Sequence, residues 1–452
     1  MRSSDVTEDP RLSCWRRVRA FAVPPPMIER SAARRVVGDW AGACAAAHID
    51  VDLHPRSVAR THGQEIATRL RDDLRHLAPD LLRWHLPRAV PDGLVRPGLT
   101  ISLARYPTGD GAPLHLVART PPAPASGGQR FSLGLWDGSS VGAGGHPRPR
   151  PHRRFRLDLH RHLWDARRAG ELRTRAGADH AITQARDDLW PDRALPPECA
   201  VDRWPAEAEI LLRADRRAED AVSVRLGARR LLALRLARSG PRLAGASRGS
   251  SWPPDLPVLP DASTWVPPDL LLLRAGLIAP DQLHPLVAEA LVPTQPRPSP
   301  AADGGFATDG GFVTRFVDCR GQRHRIGLVD GVLVPLDHDP AEIRREELLT
   351  ALTGPPAPCL QMIDDVHRRP ANLDDIRARL DHGDIAGALA AVETLLGPAA
   401  VLRDGPLRDE LVAAARGRVA YGLYRSGLSD RRAQRAPKPR DRRRHPRHAQ
   451  HH

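Results

Sequence analysis

Histidine and aspartate alternate in two short stretches of this chain, and that spacing is where chemistry would begin. In the first, His48, Asp50, Asp52 and His54 stand opposite Ile49, Val51 and Leu53; in the second, Asp158, His160 and His162 stand opposite Phe155, Leu157, Leu159 and Leu163. Successive side chains of a β-strand leave opposite faces, so each polar set would share one face. Imidazole and carboxylate donors at that spacing can converge on a divalent metal. Two such strands side by side would make a metal-dependent hydrolytic or oxidative site from all seven residues. A solvated polar face in a protein with 20 histidines is the plainer reading and carries more weight. No other cofactor is expected.

The remaining motifs lead away from catalysis. Gly138, Ser140 and Gly142 have the Gly-x-Ser-x-Gly spacing. A nucleophile elbow needs a helix directly after its serine, and here Gly144, Gly145, Pro147 and Pro149 follow. Neither phosphate-cradling glycine loop occurs, nor His-Glu-x-x-His, nor the His/Cys deaminase pattern. Acidic clusters at 337–339, 364–365, 374–375 and 381–384 fall at expected helix starts or on arginine-rich helices, where capping and i to i+4 pairing account for them. Cys14, Cys44, Cys199, Cys319 and Cys359 include no Cys-x-x-Cys pair. They are expected to be small buried residues of a reducing compartment, not a disulfide framework or zinc knuckle.

The net charge of +14 resembles a nucleic-acid signature until its carriers are identified. Lys438 is the only lysine and Asn372 the only asparagine, which points to a high-GC bacterial genome and a partly mutational arginine excess. Residues 431–452 carry +8 of the total. Their cations Arg431, Arg432, Arg435, Lys438, Arg440, Arg442, Arg443, Arg444 and Arg447 lie among Pro and His, a composition that cannot bury a core. Such a tail could hold nucleic acid or an acidic partner by counterion release, and without aromatic residues it would not read sequence. No apolar run reaches membrane-spanning or signal-peptide length, so export and insertion are not expected.

The elements that must position these residues read as an α+β protein. Residues 1–30 are expected to be disordered, 31–245 to form an N-terminal α+β domain, and 246–311 to be a loop-rich connector with two short helices. Residues 312–428 should form the C-terminal domain, and 429–452 a basic disordered tail. The N-terminal domain would mix antiparallel strands with flanking helices. Within it, Ser31 could cap a first helix, 48–54 form a strand, and Thr61 with Gln64 cap a helix carrying Ile66, Leu70 and Leu74. A hairpin over 99–119 and strands at 131–136, 155–163 and 221–237 would follow.

The C-terminal domain should be a three-stranded β-meander, 312–319, 322–329 and 332–336, turning at Arg320-Gly321 and Asp330-Gly331. Helices follow, the first capped by Asp339 with Pro340 and Glu342 behind it. With no catalytic constellation intact, the expected function is that of a non-catalytic cytosolic interaction or regulatory protein, with its partner on the helical C-terminal domain. The alternatives are a nucleic-acid-associated protein using its tail and a metal-dependent enzyme using the His/Asp faces.

Overall fold

The computed structural model describes residues 9–428 apart from 110–111, 140–145, 180–194, 228–229, 238–239, 246–255, 294–314, 320, 353, 355 and 371. The chain is mixed α+β, as its patterning indicates. Among the described residues no helix is long and apolar enough to cross a membrane.

The prolines near the N-terminus start helices instead of breaking order. Asp9 caps α1 (Pro10–Phe21), accepting from the Arg11 amide, and Pro25 opens α2 (Pro25–Val36), where a missing N–H costs nothing. Val18, Ala22, Val23 and Met27 are buried in the main core and Cys14 is buried too, so the expected disorder over 1–30 is corrected from residue 9 onward. Residues 1–8 lie outside the described residues. After α3 (Trp40–Ala46), His48 takes φ of 58° and turns the chain into β1 (Ile49–Val51). The sequence between β1 and Gly63 is itself helical, α4 (Pro55–His62). The next helix, α5 (Gln64–His76), starts from Gly63, so the expected Thr61 cap does not form. α6 (Pro79–His85) is almost wholly buried.

A small hairpin, β2 (Arg88–Ala89) and β3 (Leu94–Val95), precedes the central strands β4 (Thr100–Tyr106), β5 (Leu114–Arg119) and β6 (Phe131–Trp136). The sheet order is β1-β6-β5-β4, with β1 parallel to β6 (Ile49 opposite Phe131) and the other pairs antiparallel. The expected strand at 155–163 is instead two successive 3-10 turns, Leu157–Leu159 and Arg161–Leu163. His160 N donates to Leu157 O and Leu163 N to His160 O. A three-residue turn stacks positions 157, 160 and 163 on one side, and all three are buried.

A second core forms around Trp204, Leu211, Val222, Leu234 and Leu259. After α7 (Leu172–Arg175), whose Leu172 belongs to the first core, it is built by α8 (Trp204–Ala214) and by the antiparallel sheet β7 (Ala221–Arg225), β8 (Leu231–Ala237) and β9 (Gly240–Gly245). Then α9 (Asp261–Thr264), α10 (Pro268–Arg274) and α11 (Pro285–Leu291) return to the first core, where Leu272 and Val287 are fully buried. The two short helices of the expected connector are therefore part of the N-terminal body.

The meander consists of β10 (Arg315–Cys319), β11 (Gln322–Val329) and β12 (Val332–Pro335). Asp330 and Gly331 both have positive φ, the signature of the tight turn that matches strand twist. α12 (Pro340–Leu352) begins where Asp339 Oδ1 accepts from Ala341 N at 2.8 Å. It is followed by α13 (Pro358–Arg368), α14 (Leu373–His382), α15 (Ile385–Leu396) and α16 (Pro406–Arg425). A third core gathers Ile326, Leu333, Ile363, Ile376 and Leu396. This part docks on the N-terminal body: Arg83, fully buried, donates to His382 O at 3.0 Å, and Gly417 of α16 lies against Gly127.

Candidate metal centre

The meander has one face toward α13, and its register decides which side chains lie there. Val317 pairs with His324 and Cys319 with Gln322, so Val317, Cys319 and His324 share a face with Ile326, which is buried in the third core. Cys319 ends β10, and His324 stands two positions into β11 beyond the turn. His338 comes from the segment between β12 and α12, and Cys359 from the first turn of α13 behind Pro358.

The donor atoms of Cys319, His324, His338 and Cys359 all lie within 4.8 Å of one another. Both cysteines are buried, at 0% and 1% exposure. His324 Nδ1 and His338 Nε2 are 2.7 Å apart, with the rings nearly perpendicular at 85°. The other nitrogen of His338, Nδ1, faces Glu342 Oε2 at 3.5 Å, across the first turn of α12. A carboxylate behind a ligating imidazole fixes its orientation and raises its basicity. Burial, then the adjacent Cys319, pushes the Cys359 thiol up to about 12. Two neighbouring thiols in a dry site keep their protons unless a cation lies between them.

Two sulfurs and two imidazole nitrogens are the donor set of a tetrahedral zinc site. All four positions come from the protein, which leaves no open position for substrate or water, and that is how structural sites are built. The four donors fit such an ion.

The seven residues singled out in the sequence do not form this centre, and they do not converge on one another. Asp50 accepts from Arg130 and from Tyr421 of α16, and Asp52 pairs with Arg425 of α16. Both carboxylates tie the C-terminal helix to the N-terminal body. His48 is half-buried, with its pKa lowered to about 4 first by desolvation and then by Arg83, and His54 is exposed at the start of α4. Asp158 pairs with Arg156 at 2.8 Å and Arg105 at 2.9 Å. His160 and His162 are buried, 5.7 Å between ring centroids. His160 Nε2 lies 2.6 Å from Ser263 Oγ and 3.3 Å from Glu207 Oε2, and its Nδ1 faces Arg156 O. Glu207 is held at a pKa of about 2: burial raises it, and hydrogen bonds and charges from His160 and Arg175 more than offset that. The reason for the failure is topological: β1 pairs with β6, and 155–163 is not a strand. Ser140 and the arginines of the tail lie outside the described residues.

The expectation that the five cysteines are merely small buried residues holds for burial, since all five are buried and unbridged, but passes over the grouping of Cys319 and Cys359 with two histidines. A usable signal was present. The Arg320-Gly321 turn expected from the sequence would pair Cys319 with Gln322, and that register puts Cys319 and His324 on one face.

Against family models, curated proteins and solved structures, the chain matches none.

Proposed function

We propose that the protein is a non-catalytic interaction protein of the cytoplasm, whose zinc-closed C-terminal domain presents α12 to a protein partner. The observation that carries this reading is the state of α12 itself. The helix runs 13 residues, close to the length at which an isolated helix is marginal in water, and none of its described side chains is buried. Leu348, Leu349 and Leu352 are 63%, 53% and 77% exposed, and their spacing puts them within one face.

What such a helix has is a firm root. Asp339 caps it, and His338 immediately before it is one of the four candidate metal ligands, with Glu342 of its first turn behind that imidazole. Zinc at the centre would tie the meander, the root of α12 and the start of α13 together, leaving the leucine face free. Closed coordination supports a structural ion over a catalytic one, and free thiols suit a reducing compartment.

The test compares the wild-type full chain with Leu348→Ser/Leu349→Ser/Leu352→Ser. Because these side chains are already in water, helicity and melting temperature should be unchanged, while cross-linking in cells of origin should lose one partner band. Loss of folding in the variant would show that α12 packs internally. A wild type without any partner that the variant lacks would defeat the reading. Self-association of the wild type alone, measured by light scattering, would make that partner a second copy of the chain.

A further inference from the structure

An open cleft of about 470 Å³, a volume typical of small-molecule sites, lies between the start of β4, the sheet of β7 and β8, and the arginine-rich segment 148–154. Strand parity makes its floor. Val222 and Val224 point into the second core, so Ser223 and Arg225 leave β7 on the other face, and Leu231, paired with Arg225, joins them there. Leu99, Leu256 and Val258 complete an apolar base.

The rim is cationic, and its backbone is anchored. Thr100 Oγ1 donates to Arg148 O at 2.6 Å, His152 N to Thr100 O at 2.8 Å, and Asp261 N to Arg154 O at 2.9 Å. From that strip the side chains of Arg148, Arg150 and Arg153 line the cleft and are exposed to water. Among the described residues none of the three guanidiniums forms an ion pair or a hydrogen bond, and no carboxylate lines the cleft. Arg154 beside them is neutralised, donating to both oxygens of Asp261 at 2.8 and 2.7 Å. The imbalance is local, since Arg105, Arg156, Arg161 and Arg175 elsewhere in the N-terminal body all lie against carboxylates. Half-buried His152 registers the field: burial lowers its pKa first, and then Arg154, Arg148, Arg96 and Arg225.

We infer that this cleft binds a small organic phosphate, whose phosphoryl group is taken by Arg148, Arg150 and Arg153 and whose apolar body lies on the leucine and valine floor. Guanidinium forks match phosphoryl oxygens in pairs, and several of them suit a group carrying close to two charges, whereas one arginine satisfies a carboxylate. Bare phosphate would leave the floor wet. A nucleic-acid strand would stack its bases on aromatic rings, and among the described residues no Phe, Tyr or Trp lines this cleft.

The experiment uses the full chain and four probes, 2-naphthyl phosphate, 2-naphthol, inorganic phosphate and a short oligothymidylate, with binding read by calorimetry. Naphthyl phosphate should bind saturably and on the order of tenfold or more tighter than inorganic phosphate, and naphthol should show no saturation at the same concentrations. Arg148→Gln/Arg150→Gln/Arg153→Gln should keep the melting temperature, because these side chains are exposed and unpaired, and lose on the order of a hundredfold in affinity for naphthyl phosphate. Arg56→Gln/Arg60→Gln/Arg75→Gln removes the same charge from α4 and α5 and should bind as the wild type does. If the first triple variant does not fold, Arg150→Gln alone decides, with a loss of about tenfold. No saturable binding of naphthyl phosphate, equal affinity for inorganic phosphate, or equal losses in the two triple variants would each overturn the inference. So would an oligothymidylate that loses more affinity than naphthyl phosphate in the first variant, since the occupant would then be a nucleic-acid strand.

Discussion

Replacing His382 by phenylalanine should flatten the acid side of the stability curve. His382 ends α14 at the junction with the N-terminal body, 1% exposed, its ring stacked on Phe21 and neither nitrogen hydrogen-bonded. Desolvation first, and then the charges of Arg88, Arg17 and Arg83, lower its pKa to about 3. In the unfolded or undocked chain it returns to about 6.5. Between those values the unfolded state binds the extra proton, so stability is fully present above about pH 6.5 and is lost as pH falls toward 3. Integrated from pH 7 down to pH 4, this one group removes about 3 kcal/mol. Phenylalanine keeps the stacking surface, loses no hydrogen bond and cannot titrate. Urea titrations followed by far-UV circular dichroism at pH 4, 5, 6 and 7 should show the wild type losing about 3 kcal/mol more than the variant over that range. Other buried histidines titrate equally in both proteins and cancel. Parallel curves would refute the reasoning, since they would mean that His382 is hydrated or paired in the folded protein.

Two further substitutions probe the same architecture. Gly383→Ala should cost about 3 kcal/mol or more and lower the melting temperature, because the residue sits at φ of 85° and a Cβ there would clash with the backbone oxygen of Gly128. Glu342→Gln should leave the fold intact and weaken zinc binding on the order of tenfold, read by competition with a chromogenic chelator, because it removes the charge behind His338 Nδ1.

The C-terminal domain was largely legible in the sequence, because its signals are local. Asp330-Gly331 marks a turn, Gly321 with its positive φ precedes β11, Asp339-Pro340 marks a helix start, and Gly383 stops α14. Residues 155–163 were misleading, because apolar residues at odd positions satisfy a strand pattern while the backbone bonds link positions 157, 160 and 163. Residues 24–26 misled differently: a run of prolines reads as a break, yet a helix accepts proline in its first turn.

The candidate sites divide along the same line. Half of the metal centre, Cys319 and His324, follows from strand parity across one turn, but Cys359 reaches it only through the packing of α13 on the meander. Asp50 and Asp52 could not have been assigned from sequence, because their partners Tyr421 and Arg425 lie 371 and 373 residues away.

The most direct test of the metal centre is the ion content and absorption spectrum of the full chain, purified without a chelating column or tag. The account predicts about one zinc per chain, with two sulfur scatterers near ~2.3 Å and two nitrogen scatterers near ~2.0 Å, the sulfur signal falling by half in Cys359→Ala. A chain that stays metal-free after equilibration with zinc, or that binds zinc through nitrogen and oxygen alone, would contradict it.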